Sequence, residues 1–466
     1  MTSTALTYQY VKLDAEGKTP IHVFENLSGT KKFLLESTFS HEKKGKFSFL
    51  GMNPYQEVIG QSGETTIHHL EKGETEKKDI HVLHYLKKHL PKMETHLPVP
   101  FFGGAVGYVG YDAIRDFEDI GGPLPDELQL PEIHFMLFKD IIVFDHAKEA
   151  IYLIAVNPNG APDSNLDNRV QELKEVVTTE SSLSVGMEHA EFLPQEAEES
   201  FKEKVAKAKE YIEKGEVLQV VLSQRLTAQI KNKPDFPFSF YKSLRESNPS
   251  PYMFYVDFQD YKLLGASPES LLQVVDREVT TNPIAGTRPR GNRVEEDLKL
   301  EAELLADEKE LAEHEMLVEL SKEDLARVCE EDSIQVPTDM VIEKYQHVMH
   351  IVSEVKGRLR EDLSSIDALI SCLPAGTVSG APRLRAMQII NELEDKMRGP
   401  YGGGIGYINY NGDLNMALTI RSLFVKGETA YLQAGAGIVS ESDPSKEYEE
   451  TLHKARSLLE AAYVSQ

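Results

Sequence analysis

Two acidic pairs and one glycine-rich segment are the parts of this chain whose residue types and spacing could do chemistry. Glu447 and Glu450 stand three apart in Lys446-Glu-Tyr-Glu-Glu-Thr-Leu-His-Lys454, a stretch with helical spacing, so their carboxylates share one face. Glu310 and Glu313 lie one turn apart on a second acidic stretch. Upstream of the first pair, Gln433-Ala-Gly-Ala-Gly-Ile-Val439 contains Gly435, Ala436 and Gly437, which can turn successive backbone N–H groups toward a single anion. A backbone cradle beside hard-oxygen ligands suits a carboxylate held through a divalent metal, and so a small-molecule site. The competing reading is a solvated acidic helix face, the usual meaning of charged runs, and it is retained for Glu301, Glu303 and Asp307.

The elements that must hold these groups can be read from apolar spacing. Tyr448, Leu452, Ala455 and Leu459 mark a terminal helix beneath Glu447 and Glu450, and Leu304, Leu311, Val318 and Leu325 form a seam along one long acidic helix carrying Glu310 and Glu313. Phe201, Val205, Ala208 and Ile212 predict a helix that Gly215 ends, before a strand over Glu216 to Arg225. Tyr401 to Tyr410 and Leu414 to Val425 flank an Asn411-Gly412 turn, a hairpin signal. Gly103-Gly-Ala-Val-Gly-Tyr-Val-Gly-Tyr-Asp112 echoes Gly402-Gly-Gly-Ile-Gly-Tyr-Ile-Asn-Tyr-Asn411, which reads either as a duplication or as chance likeness between two glycine-rich strands. Many strands with clustered helices predict packed sheets covered by helices.

At 466 residues, with 41% hydrophobic and 27% charged residues, the chain is too long for one small core and has an ordinary globular balance. Turn-rich sequence over Asn157 to Asn168 and Thr178 to Glu191 places a division near residue 190, giving expected domains 1–190 and 191–466. The net charge of -26 opposes attraction to nucleic acid or anionic membranes, so neither is an expected partner. It also means that a carboxylate substrate needs local cations, in the form of a metal or an arginine. Cys329 and Cys372 lack ligand or disulfide spacing and read as buried thiols. The opening Met1-Thr-Ser-Thr-Ala-Leu-Thr-Tyr has no basic-then-apolar pattern and no apolar run reaches spanning length, so a cytoplasmic protein is expected.

Five segments carry a resemblance: Gly215 to Arg225, Pro283-Ile-Ala-Gly-Thr-Arg-Pro-Arg-Gly291, Asp307-Glu-Lys-Glu-Leu-Ala-Glu-His314, Gly376-Thr-Val-Ser-Gly-Ala-Pro382 and Gln433 to Val439. Together they resemble the chorismate-utilising enzymes, and within that family the anthranilate synthase component I branch. The resemblance implies an α+β fold of two intertwined, helix-covered subdomains with roughly orthogonal, antiparallel-rich sheets, in α/β/β/α layers. It implies that Glu313 and Glu450 hold Mg²⁺, which reverses the solvated-face reading for those two. It further implies that Gly286, Thr287, Tyr401, Arg421, Gly435, Ala436 and Gly437 contact chorismate, Arg421 pairing with a carboxylate through its planar fork. His350 in Tyr345-Gln-His-Val-Met-His-Ile351 matches a family histidine near the departing hydroxyl, whereas His347, one turn away, has no counterpart. Glu310 and His350 are candidates for proton management, and Thr377 for orienting the substrate.

The resemblance also narrows the activity. Sister enzymes that use water carry lysine where Gln219 stands, and many aminodeoxychorismate synthases carry a nucleophilic lysine where Ala285 stands. Ammonia must then attack chorismate directly, as in anthranilate formation, with aminodeoxychorismate synthase component I or a catalytically silent tryptophan-binding subunit as alternatives. Leu34-Leu-Glu-Ser37 and Asn248-Pro-Ser-Pro-Tyr-Met253 match tryptophan-effector segments, implicating Ser37, Pro251, Tyr252 and Met253. Read alone, these would be core leucines and a turn. The chain departs from the family at Lys46 and at Lys322-Glu323, where arginine and Arg-Asn are common. Neither cysteine sits in a Gly-x-Cys-x-Gly elbow, so a separate glutamine amidotransferase is the implied ammonia source, in a heterodimer or heterotetramer.

Overall fold

The structure is a computed structural model that describes residues 8–37, 46–95, 97–158, 165–180, 190–291, 293–345 and 348–460. The expected boundary segments fall partly outside the described residues, and the opening residues before Tyr8 and His347 wholly so.

Two antiparallel sheets of 12 strands each form the frame. Alternation within single strands sets the layers. Leu34 packs into a helix-covered core with Phe24, Val170 and Phe240, while its neighbours Phe33 and Leu35 join Phe101, Tyr108 and Phe138 between the sheets. In the second sheet, Val106 and Tyr108 face that shared layer, and Ala105 and Val109 face an outer core with Leu83, Val318 and Leu369 from helices. The order is helix, sheet, sheet, helix, as the resemblance implied.

Each sheet mixes strands from either side of residue 190 and is joined by one central pair. In the first sheet the seam is Lys32–Glu36 against Tyr252–Asp257, and in the second Gly104–Val109 against Gly404–Asn409. Outward from the first seam, one half runs Phe47–Met52, Asp140–Asp145, Ala150–Val156, Tyr8–Asp14. The other runs Tyr261–Ser267, Ser422–Lys426, Thr429–Ile438, Gln219–Gln229, the same chain order. The second sheet repeats likewise about its own seam.

The topology is therefore duplicated, and the glycine echo marks its axis. Val106 stands opposite Tyr407 and Ile405 opposite Tyr108, with Gly107 opposite Gly406 at the centre. A Cβ at Gly107 would meet His134 O at 1.9 Å and one at Gly406 would meet Asn415 O at 2.0 Å, so both seam strands need glycine for close approach.

Three expectations require correction. The acidic seam is two helices, Val294–Leu305 and Glu308–Ala326, because the Asp307 carboxylate accepts from Lys309 N and Glu310 N and caps a new helix. The strand expected over Leu414 to Val425 is Leu414–Leu418 in the second sheet and Ser422–Lys426 in the first. His350 lies in the Val348–Arg358 strand, so helical spacing does not apply there.

Candidate active site

Two places where the chain passes between sheets build the site. Tyr261–Ser267 leads through Pro268 and Glu269 into Ser270–Val275, and Leu414–Leu418 leads through Thr419 to Arg421 into Ser422–Lys426. The crossings hold one another: Leu418 N donates to Glu269 O at 3.0 Å, and Ala266 N donates to Arg421 O at 3.1 Å. Arg421 adopts φ 50°, a left-handed conformation uncommon for a residue with a side chain, and this turns the second crossing. A cavity of about 1120 Å³ opens beside them, lined by Glu269 and Arg421.

The cavity gathers nearly all the expected residues. Glu310 and Glu313 enter from the Glu308–Ala326 helix, and Glu447 and Glu450 from the Pro444–Leu459 helix. Gly286, Thr287 and His350 line it from the Ile284–Pro289 and Val348–Arg358 strands, which slip register at Gly286. Thr377, Tyr401, Gly435 and Gly437 complete it. Gly435 to Gly437 form strand, not a turn: they pair with Ser223, Leu222 and Val221, so alternate rather than successive N–H groups point one way. Ala436 is fully buried among Val220, Leu222 and Ile438 on the opposite face. A Cβ at Gly435 would meet Tyr401 Oη, and one at Gly437 would meet Gln219 Nε2, both at 2.7 Å. Burial holds the Tyr401 hydroxyl up at about 12, so it remains a hydrogen-bond donor.

Charge is crowded here. Burial, reinforced by the Glu313 charge, raises the Glu310 carboxyl above its usual range, and burial with the Glu450 charge does the same to Glu447. Gln219 Nε2 donates to Glu313 at 2.9 Å, and Lys454 pairs with Glu450 at 2.7 Å and donates to Gly435 O at 3.0 Å. Among the described residues, no three histidine, cysteine or acidic side chains form a metal cluster by themselves. Two carboxylates from separate helices, in a cavity that raises their neighbours' proton affinity, fit Mg²⁺, which commonly takes one or two carboxylates and completes its shell with water and substrate oxygens.

Proton roles separate by environment. Glu269 is buried, accepts from Thr377 Oγ1 at 2.8 Å, and burial lifts its carboxyl to about 7, Thr377 and Lys454 opposing. His350 is pulled the other way: burial lowers its pKa, and Nδ1 must donate to the Gly286 carbonyl 2.9 Å away, which leaves Nε2 as an acceptor. One carboxyl whose proton affinity is raised to near neutrality and one imidazole held toward its neutral form make an acid and base assignment. Glu269 escaped the sequence reading because Ser267-Pro-Glu-Ser270 looks like an ordinary turn. Its signal was a carboxylate set between two alternating apolar runs, Tyr261 to Ala266 and Leu271 to Val275.

A second unforeseen residue, Arg398, positions three walls. It is 1% exposed, donates to Val378 O at 2.7 Å, to Val221 O at 2.8 Å and to Glu394 at 2.6 Å, and its guanidinium lies 5.8 Å from the Tyr401 ring. The loop carrying Thr377, the strand carrying Gln219 and Tyr401 are thus held by one buried cation.

The effector segments also meet, next to the crossing that carries Glu269: Tyr252 pairs with Ser267 and its hydroxyl approaches Ser270. Glu36 pairs with Met253 across the first seam, so Ser37 follows directly and lies exposed beside Tyr252 and Pro251. Glu36 itself accepts from Tyr241 Oη and Arg245 Nε, both at 2.8 Å.

Residues 31–460 match the family described as chorismate binding enzyme. This chain belongs to the chorismate-binding enzymes. It is 44% identical over 464 residues to anthranilate synthase component 1 of Acetivibrio thermocellus, covering 96% of this chain and 93% of that one. With the component 1 of Lactococcus lactis the identity is 41%, over 96% of this chain and 98% of the relative. The crystal structure of anthranilate synthase component I from Streptococcus pneumoniae superposes with a TM-score of 0.83 at 38% identity, covering 96% and 99% of the two chains. The chorismate-binding fold thus has the layers described above, and no helix among the described residues is long and apolar enough to cross a membrane.

Because Glu269 titrates near 7 when folded and near 4.5 ordinarily, the folded chain binds its proton more tightly. The stability this brings is complete below about 4.5 and is lost as pH rises through about 7. Glu269→Gln has no such proton, so relative to the parent it should gain roughly 2–3 kcal/mol between pH 5 and pH 8 in denaturant unfolding. A difference that does not change with pH would contradict the assignment of Glu269 as a buried, protonated carboxyl.

Proposed function

We propose that this chain is the chorismate-converting component of an anthranilate synthase, joining ammonia to chorismate and releasing pyruvate, with Mg²⁺ bound by Glu313 and Glu450. The observation that carries the reading is a buried Glu269, whose carboxyl is pushed up to about 7, and a His350 held toward its neutral form, lining the carboxylate-rich cavity that also holds Arg421. Mg²⁺ bound there would supply positive charge that binds and screens the ring carboxylate. Arg421 is suited to the enolpyruvyl carboxylate, and the Tyr401 hydroxyl and the strand edge at Gly435 and Gly437 to further substrate oxygens. Ammonia attacks C2 while the C4–O bond breaks, and Glu269 gives its proton to the departing oxygen, which leaves as water. The new ammonium group at C2 loses one proton to solvent; the Nε2 lone pair of His350 is then suited to take the C2 proton as the C3–O bond breaks, and the departing enolpyruvate takes up a proton at its methylene carbon to become pyruvate while the ring becomes aromatic. Glu310, held by Arg288 at 3.5 Å, adjusts the charge around Glu313.

Gln219 and Ala285 favour ammonia over water or an enzyme lysine as nucleophile. The Gln219 amide is engaged with Glu313, and Ala285 has no reactive group. The ammonia is proposed to come from a separate glutamine amidotransferase component, docked on this one in the cytoplasm. Residues 1–190 would carry the first effector segment and residues 191–466 the chorismate site. Tryptophan is proposed to bind at Ser37, Pro251, Tyr252 and Met253. The cavity reaches Glu246, Ser247 and Asn248, the last of which opens the second effector segment, and this gives the effector a short path to the catalytic groups.

Purified chain given chorismate, Mg²⁺ and an ammonium salt should form anthranilate and pyruvate, and Glu313→Gln should reduce this at least a hundredfold, the scale expected for losing a group the transition state needs. Accumulation of an amino-deoxychorismate without pyruvate would move the activity to the folate-type reaction, and full activity of Glu313→Gln would remove the metal assignment. Ser37→Phe should leave that turnover intact while abolishing its inhibition by tryptophan; unchanged inhibition would overturn the effector site.

A further inference from the structure

Behind Glu269, on the side away from the substrate cavity, lies a second and much smaller cavity of about 40 Å³. Glu269 and Thr377 line both cavities, so their hydrogen-bonded pair is part of the wall between them. The remaining polar lining of the small cavity comes from Ser270, Thr281, Asn282, Ser321 and Asp324. Thr281 is 6% exposed, and its hydroxyl has no hydrogen-bond partner in the protein. A buried hydroxyl without a protein partner is satisfied by ordered water in most folded proteins. One water needs roughly 10–15 Å³ of such space and two or more polar neighbours, and this cavity offers both.

The far end is also built for proton traffic. Asp324 sits on the Glu308–Ala326 helix with its side chain 13% exposed, so it touches both the cavity and solvent. Its carboxylate pairs with Arg383 at 2.7 Å, and burial nevertheless raises it to about 6. A carboxyl that exchanges protons near neutrality therefore stands at the outer end of a polar cavity whose inner end is Glu269.

We propose that water in this cavity forms a proton relay from Asp324, past the Thr281 hydroxyl, to Glu269, resupplying the proton that Glu269 gives up in each turnover. The relay rests on the reading of Glu269 as general acid. When Glu269 protonates the departing oxygen it becomes a carboxylate. A cavity water then gives it a proton and takes one from the Asp324 carboxyl, which is restored from bulk solvent. The net result is one proton moved inward, with no bond made or broken other than O–H bonds. The route matters because a substrate bound beside Glu313, Arg421 and Glu450 would fill the large cavity, whereas the small cavity gives Glu269 a second polar neighbourhood. Asp324 and Thr281 are positioning residues in this scheme, since neither touches the substrate.

Thr281→Val keeps side-chain volume and removes the hydroxyl, and Asp324→Asn removes the titrating end. In the ammonium-dependent reaction, each is expected to lower kcat about tenfold, a fraction of the 10²–10⁴ that general acid catalysis supplies. KM for chorismate should be unchanged, and the solvent deuterium isotope effect on kcat should rise. Merely loosened packing would not produce that combination. If Asp324→Asn fails to fold, Thr281→Val decides. Parental kcat and isotope effect in folded Thr281→Val overturn the relay, as does a high-resolution crystal structure with a dry cavity. Glu269→Gln separates the two levels: if it is inactive while Thr281→Val is unimpaired, the relay alone fails, and if it turns over normally, the acid assignment fails and the relay with it.

Discussion

Four carboxylates, carried by two helices, face one cavity in a chain of net charge -26. Left alone they repel one another and any anionic ligand; burial, with that repulsion added, raises the proton affinities of Glu310 and Glu447. The surroundings answer it with cations of fixed position. Lys454 is held to Glu450 and to the Gly435 carbonyl, Arg288 reaches Glu310, and Arg421 stands at a sheet crossing. A divalent metal held by Glu313 and Glu450, as proposed, would complete this arrangement and would let a strongly acidic protein accept a dicarboxylate substrate.

The duplicated frame explains why the reactive groups sit where they do. A strand that leaves one sheet for the other must turn sharply, and its turning residues are exposed to the space between elements. In the C-terminal repeat these residues are Glu269 and Arg421, at crossings that hydrogen-bond to each other. In the N-terminal repeat the corresponding crossings lie at Asn53 to Tyr55 and at Lys139. There Tyr55 N donates to Leu137 O, and Lys139 forms an ion pair with Glu71. Both repeats keep the frame, and one has placed an acid and a cation at its crossings while the other has placed a lysine that pairs with Glu71 in a neighbouring hairpin turn.

How legible this was follows from the physics of each residue. Helices with apolar seams and the Asn411-Gly412 hairpin were readable because periodicity and turn chemistry are local. The paired carboxylates were readable because helical spacing puts i and i+3 on one face. The break at Asp307 was not, since its capping bonds compete with a seam that continues across it. The glycine segment at 435–437 was misread as a turn because glycine serves both turns and close strand approach, and only the facing Gln219 and Tyr401 side chains decide between them. Glu269 and Arg398 were missed because their significance comes from burial and from partners far away in sequence. Arg398 bonds Val221, 177 residues distant, and Glu269 bonds Thr377, 108 residues distant.

On the proposed reading the carboxylate cavity takes its anionic substrate only with a divalent cation, and titration calorimetry of chorismate with and without Mg²⁺ tests that dependence. Linkage requires the two ligands to strengthen each other equally. Chorismate should bind at least tenfold more tightly with saturating Mg²⁺ than with a chelator, and Mg²⁺ binding should be tightened by the same factor when chorismate is present. Equal chorismate affinity in the two conditions would contradict it.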